Sequence, residues 1–168
     1  MKRIVRRVVL AMTVAMLVAC MSPAAVSAKT VKVKKAGFTT YRAVADAAAR
    51  PVGRGTTKVK MPNGGGYLKF TAPVTGAYRF TVSNVTSGRY CCGYFNLMTA
   101  SGLYGTSIFQ RSVPTKGGPS TGLYVASRSR KGSMFLTSRT GTLPLLQGQT
   151  VYIYFHFTGS CTFRLKIR

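Results

Sequence analysis

From Tyr67 onward the chain alternates between apolar and polar positions. Leu68, Phe70 and Ala72 take turns with Tyr67, Lys69 and Thr71, and beyond a turn at 73–77 Tyr78, Phe80 and Val82 take turns with Arg79, Thr81 and Ser83. A period of two predicts half-buried strands. With Phe70 opposite Phe80, both apolar sets share one face across a loop short enough for a β-hairpin. The C-terminal segment repeats the pattern. Val151, Ile153, Phe155 and Phe157 align with Phe163, Leu165 and Ile167 when Phe155 is set opposite Phe163. A slip of one residue would turn one set to water, so a second hairpin is predicted in this register.

Between these pairs, shorter strands are predicted at 94–98, 123–127 and 134–137, separated by Gly- and Ser-rich turns such as Lys116-Gly117-Gly118-Pro119. Residues 29–66 form a basic lead-in. Lys29, Lys32, Lys34 and Lys35 alternate with Val31 and Val33 in an edge-like strand, and the Ala-rich stretch 41–50 predicts one short helix ended by Pro51. Many short strands with frequent turns predict an all-β fold, an antiparallel β-sandwich of jelly-roll type, with 29–168 as one domain and 67–168 as its core.

The first 28 residues follow another logic. Lys2, Arg3, Arg6 and Arg7 precede an uncharged run at 8–19 and the small-residue sequence Val26-Ser27-Ala28, the order of an export signal cleaved after Ala28. Leu17-Val18-Ala19-Cys20 also resembles a lipobox, which would instead leave Cys20 as a lipidated first residue. Both outcomes place the mature chain outside the cytoplasm, secreted or held at the cell surface.

The run from Tyr67 to Val82, the segment from Leu146 to Ile153 and the closing strand at 162–167 together resemble the bacterial pre-peptidase C-terminal domain. The resemblance spans about residues 66–84 and 142–168. It implies a small jelly-roll-like sandwich carried by secreted and surface proteins, usually as an accessory module engaged in binding or secretion. The acidic residues with which some members hold calcium have no counterpart here, so the resemblance supplies no site residue.

Charge narrows the chemistry. There are 25 Lys and Arg, one acid, Asp46, and one histidine, His156, for a formal net charge of +24. At 46% apolar residues this is a folding sequence and not a polybasic tail. One carboxylate excludes a two-carboxylate glycosidase and an oxygen-rich Ca²⁺ or Mg²⁺ cage. A catalytic triad would have to use His156 and Asp46, and no Gly-x-Ser-x-Gly elbow is present. A Cys161–His156 pair fails too, because the strand pattern turns Cys161 inward and His156 outward. The expectation is a module with no catalytic residue, metal or cofactor; a small secreted hydrolase is the third reading.

Three cysteines lie beyond the signal. Adjacent Cys91 and Cys92 are poorly disposed to bond each other, so Cys161 is expected to bridge to Cys91 or Cys92 in an oxidising compartment, leaving one odd thiol. The predicted C-terminal hairpin sets Tyr154 opposite Arg164, Tyr152 opposite Lys166 and His156 opposite Thr162. Such pairs either stabilise the sheet or form an aromatic and basic platform. The expected partner is an anionic polymer: a teichoic acid, an acidic polysaccharide or an anionic lipid surface. Nucleic acid is compatible with the same charge. The alternative is a cationic effector that perturbs anionic membranes.

Overall fold

The computed structural model describes residues 29–100 and 105–168. The expected export signal and Cys20 lie outside the described residues. In chain order the elements are β1 (Thr30–Lys32), α1 (Arg42–Ala48), β2 (Arg50–Pro51), β3 (Gly55–Met61), β4 (Gly64–Thr71), β5 (Gly76–Thr86) and β6 (Cys92–Ala100). Then follow β7 (Ile108–Gln110), β8 (Val113–Thr115), β9 (Gly118–Ser120), β10 (Gly122–Ala126), β11 (Ser138–Leu145), β12 (Thr150–Phe157) and β13 (Cys161–Ile167).

Two sheets face each other. Sheet I runs β1-β3-β13-β5-β11; sheet II runs β10-β6-β12-β4-β2, with β7 paired to the far end of β6. A separate ribbon joins β8 to β9. Pairing is antiparallel except at two edges, where β1 lies parallel to β3 and β2 parallel to β4. The predicted sandwich is therefore present, with mixed sheets. Its core is the inward set of both layers, including Phe70, Phe80, Phe95, Phe155, Phe157 and Phe163, each at most 1% exposed. Phenyl rings buried this fully dominate the hydrophobic stabilisation of such a layer.

Both predicted hairpins are corrected. β4 and β5 do not pair: β4 lies between β12 and β2 in sheet II, while β5 lies between β13 and β11 in sheet I. β12 and β13 likewise belong to different sheets. The matched aromatic residues still meet, across the sandwich. Phe70 and Phe80 form an edge contact with centroids 5.7 Å apart, and Phe155 lies 4.9 Å from Phe163. Alternation settles which side chains enter the core, and a partner beside the strand satisfies it as well as one across the core.

The lead-in wraps both layers. After β1, Val33 N–H donates to Lys60 O on sheet I and Ala36 N–H donates to Gly65 O on sheet II. The Gly64-Gly65-Gly66 run makes room for this passage. A Cβ on Gly66 would strike Val33 Cγ1 and lie 2.5 Å from Lys34 O; one on Gly65 would strike the Tyr154 hydroxyl and lie 2.6 Å from Ala36 O. The alanine-rich α1 then lies over the outer side of sheet II, where Ala45 is fully buried among Tyr67, Met98, Ile108, Tyr152 and Tyr154 in a second small core. Of the shorter predicted strands, 94–98 falls in β6 and 123–127 overlaps β10. Residues 134–137 contribute only a bridge from Leu136 to Val125.

Candidate functional site

The outer face of sheet I gathers cations and hydroxyls in rows set by strand register. One row runs Thr30, Lys58, Arg164, Ser83 and Ser138; the next Lys32, Lys60, Thr162 and Thr86; a third Thr56, Lys166, Thr81 and Thr140. All of these side chains are exposed or half-buried. Lys58 sits opposite Arg164 and Lys32 opposite Lys60, pairings that like charge disfavours when nothing intervenes. The hydroxyls pair across strands, Thr81 with Thr140 at 2.7 Å and Thr86 with Thr162. No side-chain carboxylate shares this face, because Asp46 sits on α1 over the opposite sheet.

A β-bulge shapes the centre of the face. Thr162 pairs with Thr86 but Arg164 pairs with Ser83, so β5 carries one residue more than β13 between those pairs. Asn84 accommodates the extra residue with φ 53°, in the left-handed region that asparagine tolerates better than most residues. The bulge turns Asn84 outward and returns Val85 to the core. The result is an open basin of about 200 Å³ lined by Lys58, Asn84, Thr86, Thr162, Phe163 and Arg164. A second basin, about 380 Å³, lies toward β11 and the β8–β9 ribbon with Arg79, Lys116 and Arg139 on its walls. A third, about 350 Å³, opens beyond Thr86 where the β5–β6 and β10–β11 connections meet, with Arg89, Tyr90, Ser127 and Arg128.

The residues named from sequence as an aromatic and basic platform are not one surface. Arg164 and Lys166 project from sheet I. Tyr152, Tyr154 and His156 project from the outer side of sheet II, because the turn at 158–160 carries the chain across the sandwich. The two tyrosines are also buried, at 1% and 3% exposure, beneath α1 and the lead-in. Tyr152 donates its hydroxyl proton to Asp46 Oδ1 at 3.1 Å. Tyr154 packs 4.9 Å from Tyr67, and its hydroxyl is pushed up to about 12 by burial and by the neighbouring Tyr94 and Tyr67. His156 stacks on Tyr94 with centroids 5.6 Å apart.

The lone histidine and the lone acid thus share an outer side without meeting. Asp46 holds Tyr152, four residues from His156, a strand separation of about 13 Å. Cys91 and Cys161 are both buried between the sheets as free thiols, while Cys92 is half-exposed beside Thr158. Burial, and then the adjoining Cys91, push the Cys161 thiol well above its ordinary value. Among the described residues no cluster of His, Cys, Asp and Glu is disposed to hold a metal, and no helix is long and apolar enough to cross a membrane.

The basic rows were only partly legible in the sequence. Lys69, Arg79, Arg164 and Lys166 all read as outward positions, but Lys69 lies on the other sheet, bound to Asp46. Lys58 and Lys60 fall within what the sequence presents as a basic lead-in, and the alternation of Thr57, Val59 and Met61 with Thr56, Lys58 and Lys60 is the signal that marks β3 there.

The sequence matches no family model and no curated protein. Among solved structures, the fold is similar to the pre-peptidase C-terminal domain of a collagenase from Bacillus anthracis. That match has 14% identity and a TM-score of 0.43, and it covers 71% of this chain and 94% of that one. It is also similar to CorA, a surface-associated copper-binding protein of Methylomicrobium album BG8. There the identity is 6% and the TM-score 0.40, covering 72% of this chain and 99% of that one. The likeness is one of β-sandwich fold.

Proposed function

We propose that this chain is an exported β-sandwich that holds anionic polymers outside the cell without turning them over, and that the outer face of sheet I is the binding surface. The observation that carries this reading is the set of three registered rows, in which Lys and Arg stand beside Thr and Ser and no acid intervenes. A flat array of cations attracts a polyanion over a Debye length of about 8 Å at physiological ionic strength. The neighbouring hydroxyls add neutral donors for phosphate, sulfate or sugar oxygens once the polymer has settled. Opposed Lys58 and Arg164 would then each gain a counter-charge. The same composition favours coating a membrane over perforating it, since this face offers Thr and Lys where insertion needs apolar side chains.

Retention on immobilised heparin and on immobilised polyglycerolphosphate tests the reading. The protein is expected to bind both at low salt and elute on a salt gradient, with Lys58→Ala/Arg164→Ala eluting at clearly lower salt. Failure of the wild type to bind either column, or unchanged elution of the double variant, overturns the assignment to this face. Release of dye from anionic-lipid vesicles by the wild type would point instead to a membrane-active effector.

A further inference from the structure

Two arginines converge on one aromatic ring at an end of the sandwich, and a third adjoins that ring in sequence. The Arg130 guanidinium carbon lies 3.9 Å from the centroid of Tyr90 and that of Arg128 lies 5.7 Å from it. Arg89 precedes Tyr90 directly and lines the same basin of about 350 Å³, together with Ser87, Ser127 and Thr86. The chain spends its one carboxylate on Lys69, so no acidic side chain neutralises these guanidiniums. Stacking fixes the plane of a guanidinium and leaves its N–H edges free to donate. Two such edges held by one ring, that of Arg128 on the wall of the basin beside its hydroxyls and that of Arg130 against the same Tyr90, match the oxygens of a tetrahedral anion better than a lone ammonium would.

We infer that Arg128 and Arg130, stacked about Tyr90, form a clamp for a single phosphate or sulfate ester group. The clamp is distinct from the sheet I face in its chemistry: arginine forks on a ring in place of lysines on a plane. It adjoins that face nonetheless, because Thr86 lines both the clamp's basin and the basin of the β-bulge. A polymer gripped in the clamp by one ester group would continue onto Thr162, Arg164 and Lys58. The step from ester group to polymer rests on the function proposed above; the clamp itself does not.

Titration of the protein with dimethyl phosphate, methyl sulfate and acetate at constant ionic strength, followed by NMR of Arg side-chain N–H and Tyr ring signals, tests the clamp. One or both esters are expected to shift the Arg128, Arg130 and Tyr90 signals saturably, at least about fivefold more tightly than acetate, and their ranking identifies phosphate or sulfate as the preferred group. Both side chains are exposed, so Arg128→Ala/Arg130→Ala should fold normally and lose the response. Arg128→Lys/Arg130→Lys keeps the charge but not the fork and should weaken binding about tenfold. Equal binding of acetate, or shifts spread evenly over all surface cations, overturns the inference. Polymer retention separates the two proposals. Ester binding at the clamp with no polymer binding by the wild type defeats only the sheet I reading; polymer binding unchanged in the clamp variant, with no ester response, defeats only the clamp.

Discussion

Asp46 is the single acidic residue in a chain of 168, and its position gives it a structural task. Its Oδ1 accepts from Lys69 Nζ at 2.7 Å and from the Tyr152 hydroxyl at 3.1 Å, so one carboxylate ties α1 to two strands of sheet II. The Lys69 hydrogen bond is the main reason its carboxyl titrates below the ordinary 3.8. A depressed carboxylate contributes stability above that ordinary value and loses it as pH falls through its folded value. Denaturant unfolding should therefore show a loss below about pH 4 that Asp46→Asn does not share. With the carboxylate side chain 49% exposed and Lys69 28% exposed, the difference should stay under about 1 kcal/mol. Cysteine partner choice is also decided residue by residue. Sequence left Cys91 and Cys92 equivalent, whereas the fold turns Cys91 into the core with Cys161 and Cys92 away from it. Oxidised glutathione, itself reduced to two thiols, should link Cys91 to Cys161, and peptide mapping would find Cys92 unbridged. A Cys161→Ser variant should forgo the roughly 2–4 kcal/mol that a bridge closing so long a loop contributes.

At the scale of elements, the lead-in depends on the missing side chains of β4. Gly66→Ala places a methyl group against Val33 and the Lys34 carbonyl, with backbone on one side and a buried side chain on the other. Overpacking of this kind costs about 1–3 kcal/mol. The expected result is a lowered unfolding midpoint together with faster proteolysis near residues 33–36, while Gly53→Ala, with open space around it, changes neither. The same scale shows what the chain made legible. Apolar alternation marked the inward faces of β4, β5, β12 and β13, but each pair is joined by a turn that serves a crossing between sheets as readily as a hairpin. Strand β11 was hidden by Gly141 and Pro144. Gly141 is needed because a Cβ there would lie 2.8 Å from Leu123 Cδ1. Pro144 is tolerated because β11 is an edge strand, where a missing N–H need not break a ladder. The clamp was invisible for a different reason. Tyr90 and Arg128 lie far apart in sequence, in two connections that carry no periodic signal, and only the packing of β6 beside β10 brings them together.

For the whole molecule, the distribution of charge between the two faces is more telling than its total. Sheet II covers its outer side with tyrosines, α1 and the lead-in, whereas sheet I leaves its outer side to water with rows of cations and hydroxyls. A fold of this size could have remained soluble with far fewer like charges set directly opposite one another. The strand order carries one more consequence, which concerns time. β13 is inserted between β3 and β5, and β12 between β4 and β6, so the two strands that come latest in the sandwich's chain order occupy the interior of both sheets. Each of those neighbours keeps one edge open until these strands arrive, and the closing contacts join distant segments, Ile167 to Gly55 at the longest. A topology of such distant pairings belongs to the slow class of folders, at milliseconds to seconds. Until β12 and β13 have been made, the sandwich therefore cannot close, however much of the chain before them has been synthesised.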